Sequence, residues 1–232
     1  MNIRVIPLKN HNNSLKSYSY LIIDEIGRKA LLVDPSGSLE KIQQILVQYK
    51  VSLSTILITH SHLDHIELVD VLTKKYDAFV MISQIEAHYY RFYCRNLILL
   101  ENSVPVPFGD EHIVPILTAG HTKGSLCFLI GNCLFSGDTV FIEGCGNCWG
   151  EGANPDDMFD SLQFLKKNIP LDTKIYPGHS YGENPGQPFK YLLKNNIYLQ
   201  FNCRSHFISF LMRKKTSTSS NLKMGERGAF QG

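Results

Sequence analysis

Residues 55–65 read TILITHSHLDH. A β-branched apolar run, Thr55 to Thr59, stops abruptly and delivers three histidines and an aspartate within six positions, His60, His62, Asp64 and His65. The apolar part is strand-like. His60 and His62 are two apart, so they cannot share a helix face, but both can point inward from an extended loop. Asp64 and His65 begin the next helix and are aimed differently. One segment presenting ligands in two directions suits two metal ions.

The same device recurs downstream. PILTAGH ends at His121, CLFSGD at Asp138 and KIYPGH at His179, each a strand-like run that stops at a small residue and then presents one potential ligand. Four strands ending this way are expected to gather His and Asp at one edge of a sheet, where rigid elements position reactive loops. Isolated histidines are more often packed or solvated, which is the reading for His11, His88, His112 and His206.

Around these runs, extended and helical patterns alternate, favouring a layered α/β fold. SYSYLIID and RKALLVDP are strands separated by EIGR. SGSLEKIQQILVQYK has Leu39, Ile42, Ile45, Leu46 and Tyr49 at helical spacing. HIELVDVLTKKY is read as one helix with Ile66, Val69 and either Leu72 or Val71 inward, DAFVMIS as a strand, and QIEAHYYRFYCRNL as a helix. SLCFLIGNCLFSGD is a hairpin turning at Gly131-Asn132. NPDDMFDSLQFLKKN is a helix opened by Asn154 or Pro155, and QPFKYLLKNN a last helix. No repeat of 20–50 residues is present.

The chain has 232 residues, 44% hydrophobic and 19% charged, with a net charge of +2. That balance is ordinary for a globular protein. Residues 201–232 hold six Lys or Arg against one acid, so residues 1–200 hold 17 basic and 20 acidic residues. An acidic body argues against nucleic acid as partner. No apolar run reaches the roughly 18 residues of a membrane span. The opening residues lack the apolar stretch of a secretory leader, so a cytoplasmic location without membrane partner is expected. Six cysteines in such a chain are read as thiols. Cys145 and Cys148, in CGNC, are read as a loop with one chance cysteine in preference to a redox pair or metal clip.

THSHLDH, GHTKGS, LFSGDTVF and YPGH, in this order over roughly residues 1–200, resemble the metallo-β-lactamase superfamily. The resemblance implies an αββα sandwich, two mixed β-sheets flanked by helices, with a binuclear site at the edge between the sheets. His60, His62 and His121 would bind one ion, Asp64, His65 and His179 the other, and Asp138 both. Two Zn²⁺ suit this ligand set, with Fe or Mn as alternatives. Residues 1–200 would form the hydrolase domain, and 201–232 a basic extension, largely disordered.

LFSGDTVFIEGCG followed by DDMFDSLQFL looks like glyoxalase II, the hydroxyacylglutathione hydrolase. Several features depart from it. Asn147 stands where that family places a Lys or Arg for the glutathione carboxylate, CWGEG is one residue longer, IELV replaces Gly-Gly, and only about 50 residues follow His179. The whole pattern, including GHSYGENPGQPFKYLLKNN, resembles the short zinc-dependent hydrolases encoded with bacterial trans-acyltransferase polyketide synthases. That implies a thioester substrate, on an acyl carrier protein or related thiol, in polyketide antibiotic biosynthesis. Asn147, Trp149 and Tyr181 are the substrate-binding candidates; Lys190 and the basic tail could meet an acidic carrier.

Two cations about 3.5–4 Å apart lower the pKa of a shared water to about 7, supplying hydroxide for attack on the carbonyl. Asp64 and Asp138 are the catalytic candidates, Asp64 orienting that nucleophile and Asp138 holding both ions. A thiolate leaves without a general acid, since thiols titrate near 8.5. A lactonase or hydroxyacylglutathione hydrolase could use the same site, and a persulfide dioxygenase with a single iron could use part of it.

Overall fold

A computed structural model describes residues 3–10 and 17–213. His11 and most of the expected extension, 214–232, lie outside the described residues. Two six-stranded sheets stack face to face. The first runs, in spatial and chain order, through β1 (Ile3–Asn10), β2 (Ser17–Asp24), β3 (Lys29–Val33), β4 (Ser52–Leu57), β5 (Phe79–Ser83) and β6 (Leu97–Leu100). The second runs through β7 (Val106–Phe108), β8 (Glu111–Leu117), β9 (Leu126–Ile130), β10 (Cys133–Gly137), β11 (Lys174–Pro177) and β12 (Gln187–Pro188). Both sheets mix parallel and antiparallel pairs.

The strand sequences explain the layering. Every residue of β2 is buried, because both faces of the first sheet are covered. Tyr18, Tyr20 and Ile22 point to a core shared with Phe128, Ile130, Phe135 and Tyr176 of the second sheet. Leu21 and Ile23, on the opposite face, meet Ile42 and Leu46 of α1 (Leu39–Tyr49) and Leu72 beyond it. That is the period-two partition of a strand between two cores. The outer face of the second sheet is covered by α5 (Pro155–Asn168), α6 (Phe189–Asn195) and α7 (Arg204–Leu211), through Leu162, Leu165, Phe189 and Phe207. The expected αββα sandwich is the fold.

Several elements follow their local chemistry. Ser38 caps α1, and the Asn154 side chain accepts from Asp156 N and Asp157 N at the start of α5, with Pro155 at its first position. The hairpin β9–β10 turns at Gly131-Asn132, Ile130 facing Cys133. Other expectations need correction. HIELVDVLTKKY is two helices, α2 (Leu63–Ile66) and α3 (Val69–Tyr76), interrupted where Leu68 N donates to the Pro35 carbonyl at 2.9 Å. Leu72 is the inward residue; Val71 is exposed. QIEAHYYRFYCRNL is helical only over α4 (Gln84–Tyr89), because Arg91 and Asn96 adopt left-handed φ of 54° and 57° and turn the chain into β6.

The packed body also runs past residue 200. α7 lies wholly within the expected extension, and its Phe207 is buried against Phe159 and Phe201. Its aromatic face outweighs the basic composition of the tail as a whole. No helix among the described residues is long and apolar enough to cross a membrane.

Candidate metal centre

The ligand-bearing strand ends belong to two sheets, not to one edge of one sheet. β4 delivers His60 from the first sheet, while β8, β10 and β11 deliver His121, Asp138 and His179 from the second. The sheets are stitched at this edge. Leu126 N donates to Thr59 O at 2.9 Å, Tyr18 N to Gly178 O at 2.8 Å and Tyr20 Oη to Pro177 O at 2.6 Å. Gly178 has a steric reason: a Cβ there would stand 2.4 Å from Asp138 Oδ1 and 2.7 Å from His65 Cε1.

All seven expected ligands converge. Ligand atoms of His60, His62 and His121 lie within 4.8 Å of one another, as do those of Asp64, His65 and His179, and those of His60, His65 and Asp138. His62 Nδ1 is 3.0 Å from both His60 Nε2 and His121 Nε2. His179 Nε2 is 3.3 Å from Asp64 Oδ2 and 3.4 Å from His65 Nε2. Asp138 faces both sets, with Oδ1 3.6 Å from His65 Nε2 and Oδ2 3.6 Å from His121 Nε2 and 3.4 Å from His179 Nε2. His62 and Asp64 are exposed, so the cluster opens to solvent on their side.

Surrounding groups set the imidazole tautomers. A carboxylate oxygen of Asp34 accepts from His65 Nδ1 at 3.0 Å, and the Asn147 backbone carbonyl accepts from His121 Nδ1 at 2.7 Å. Thr59 Oγ1 gives its own proton to Asp34 Oδ2, so it accepts from His60 Nδ1 at 3.1 Å. With Nδ1 of all three rings engaged outward, their Nε2 atoms face inward, the arrangement of metal-ligating histidines. Burial, then the neighbouring His65 and His121, hold His60 well below the usual imidazole range, and burial with His121 lowers His62. Burial opposes charge on His65, but Asp34 and Asp138 override it and raise its pKa to about 9. A hydrogen bond from His179 holds Asp64 below the usual carboxylate range.

The residues fit a cationic occupant. Asp138 Oδ1 is one of two buried side-chain atoms among the described residues that lack a hydrogen-bond partner, the other being His179 Nδ1. An acceptor stranded beside inward-facing lone pairs costs about 1–3 kcal/mol, which a metal ion would remove.

Two further carboxylates carry the site. Asp34, at the end of β3, also accepts from Thr59 N at 2.8 Å. Glu86, fully buried on α4, accepts from Ser61 N and Ser61 Oγ, both at 2.8 Å, from Thr122 Oγ1 at 2.8 Å and from Gly124 N at 3.0 Å. It thereby clamps the His60–His62 loop to the His121 loop. The VDP ending of β3 repeats the pattern of a strand delivering one polar residue and could have drawn attention to Asp34; Glu86 has no comparable signal.

Asn147, Trp149 and Tyr181 line one cleft of about 720 Å³ together with Asp138, His179 and Cys145. Phe141 stacks on Tyr181 with ring centroids 4.9 Å apart and meets His179 edge-on. Leu211 and Arg213 complete the wall, so the C-terminal helix belongs to the cleft. Lys190 is paired with Asp172 at 2.8 Å and is not a free cation. Cys145 and Cys148 are free thiols, and burial pushes Cys148 up to about 12. His88, His112 and His206 are exposed and belong to no group of metal-ligand geometry among the described residues.

Comparison with known proteins agrees with this architecture. The chain is 45% identical over 210 residues to "Probable polyketide biosynthesis zinc-dependent hydrolase BaeB" of Bacillus velezensis, covering 90% of this chain and 93% of that one. It is 28% identical over 191 residues to the cytoplasmic hydroxyacylglutathione hydrolase of Saccharomyces cerevisiae, covering 78% and 69%. The crystal structure of ETHE1 from Myxococcus xanthus superposes with a TM-score of 0.77 at 28% identity, covering 89% of each chain. The family model for the metallo-β-lactamase superfamily matches residues 13–179, spanning every expected ligand from His60 to His179, and the chain belongs to that superfamily.

Proposed function

We propose that this protein is a zinc-dependent hydrolase of polyketide biosynthesis that cleaves an acyl thioester, with two ions held by His60, His62, Asp64, His65, His121, Asp138 and His179. The observation that carries the reading is Asp138, whose carboxylate lies within 3.6 Å of His121 from one ligand set and of His65 and His179 from the other. The name of the Bacillus velezensis relative supports the zinc and the pathway. Zinc bound there supplies Lewis acidity and an ionised water at neutral pH.

The chain's own residues do the rest. Asp34, Thr59 and the Asn147 carbonyl fix the imidazole tautomers. Asp64, 3.3 Å from His179 and half-exposed at the mouth, can accept a hydrogen bond from the attacking nucleophile and so orient it. Trp149 and Tyr181 border the cleft as broad faces for the thiol arm. The arm is read as that of a carrier protein, because Asn147 offers no charge to a glutathione carboxylate. The departing thiolate needs no proton donor.

A dioxygenase with a single iron would leave Asp64, His65 and His179 without an ion, and their convergence favours a second ion. One acyl group assayed on glutathione, coenzyme A and carrier protein, beside a lactone and a persulfide, tests the reading. Turnover of the carrier thioester is expected to dominate; lactone or persulfide turnover without thioester hydrolysis would overturn it.

A further inference from the structure

A second groove reaches the ligand cluster from another side. It encloses about 470 Å³ and is walled by Ser61, His62 and Ile66 and by Phe92, Tyr93 and Cys94 on the loop after α4. It shares no lining residue with the cleft of Trp149 and Tyr181. The cleft touches Asp138 and His179; the groove touches His62. The two depressions thus border different members of the cluster, His62 in one and Asp138 and His179 in the other.

The groove is built from a deliberate turn. Arg91 takes a φ of 54°, and Phe92 N returns to the Ala87 carbonyl at 2.9 Å, which seats Phe92 against the core. Tyr93 is left projecting, 77% exposed. The groove's volume falls within the roughly 300–1,000 Å³ of small-molecule sites; Ile66, Val69, Phe92 and Tyr93 supply its apolar and aromatic wall, and Glu67, Asp70 and Arg91 a charged border.

A thioester sends two arms from its reacting carbon. Resting on the thioester reading above, the thiol arm occupies the cleft of Trp149 and Tyr181, and the carbonyl lies over the ligand cluster. The acyl arm must then leave on the other side. We propose that the groove of Ile66, Phe92, Tyr93 and Cys94 is the acyl subsite and takes an aliphatic acyl chain of medium length. Chain-length selectivity would then reside in α2 and the loop after α4, separately from recognition of the thiol.

The test uses the metal-loaded full chain and N-acetylcysteamine thioesters from acetyl to octanoyl, so that the thiol is constant. In the wild type kcat/KM is expected to rise with length, by up to roughly fourfold for each methylene buried. In Tyr93→Ala, at an exposed position, and in Phe92→Ala, the octanoyl-to-acetyl ratio of kcat/KM is expected to fall at least about fivefold. The same fall should appear when coenzyme A replaces N-acetylcysteamine, which assigns it to the acyl arm. Thioesters hydrolysed with no dependence on chain length, or an unchanged ratio in Tyr93→Ala, would overturn the subsite and leave the thioester reading standing. No hydrolysis of any thioester would overturn both.

Discussion

His121 and Asn147 are joined by a hydrogen bond of 2.7 Å from the ring Nδ1 to the backbone carbonyl. The Asn147 side chain takes no part; its Oδ1 accepts from Trp149 N at 3.2 Å, and the residue is exposed. Backbone and side chain at this position thus serve different ends and can be varied separately.

Asn147→Lys is accordingly expected to keep its metal while gaining activity on glutathione thioesters. A new charge-assisted hydrogen bond to the glycine carboxylate is worth about 1.5–3 kcal/mol, or roughly ten- to a hundredfold in kcat/KM. Elemental analysis and kinetics on a glutathione thioester check it. Lost metal would mean that the side chain does shape the His121 loop.

With two ions bound as proposed, Glu86→Gln should weaken the one at His60, His62 and His121 more than the other. An amide offers one oxygen to donors that now share two, and its NH₂ group must confront a backbone N–H, that of Ser61 or that of Gly124. Cobalt titration, followed by visible absorption, is expected to resolve one site at least about tenfold weaker, as for loss of an outer hydrogen bond. Equal weakening of both sites, with only a lower Tm, would reduce Glu86 to a stabilising role.

Asp138→Ala is expected to cost at least about tenfold more activity than Asp64→Ala, and the losses should not add in the double variant. Asp138 faces ligands of both sets, whereas Asp64 sits beside His65 and His179 alone. Similar residual rates together with full metal content in Asp138→Ala would show that its two-sided position is not used.

The metal-free protein should lose stability as pH rises. His65 has its pKa raised from 6.5 to about 9 by Asp34 and Asp138 against the opposing effect of burial. A raised folded pKa contributes stability that is fully present below 6.5 and disappears as pH climbs through 9. The contribution is on the order of 3 kcal/mol. Thermal melts from pH 6 to 10 should therefore fall more steeply for the metal-free wild type than for His65→Gln. Metal should abolish the difference by displacing the proton. Parallel curves for the two metal-free proteins would exclude His65 as the source.

Phe207→Ala should cost about 3–5 kcal/mol, as for a large buried aromatic. Phe207 is fully buried between Phe159, Tyr198 and Phe201. Urea melts would measure it. A change below about 1 kcal/mol would mean that α7 adds little to the body.

Reading the residues in order reached the layered fold and the seven side chains that converge on one cluster, because the apolar runs before His60, His121, Asp138 and His179 each break off at one of them. What stayed hidden depends on distance along the chain. Asp34 meets His65, 31 positions away, and Glu86 meets Thr122, 36 away, and a buried carboxylate looks like any surface acid in the linear text. Positive φ at Arg91 and Asn96, neither of them glycine, gave no warning that α4 stops early. α7 was concealed by averaging: its aromatic face of Phe207 and Phe210 was pooled with the polar residues after it.

Leu211 and Arg213, at the end of α7, stand in the wall of the cleft. In a chain shortened to end at Arg213, an affinity handle joined there would start beside the opening of the cleft, and kinetic constants measured on it would contain its obstruction. Handles at the opposite terminus, which begins on the edge strand β1 of the other sheet, avoid this particular attachment point.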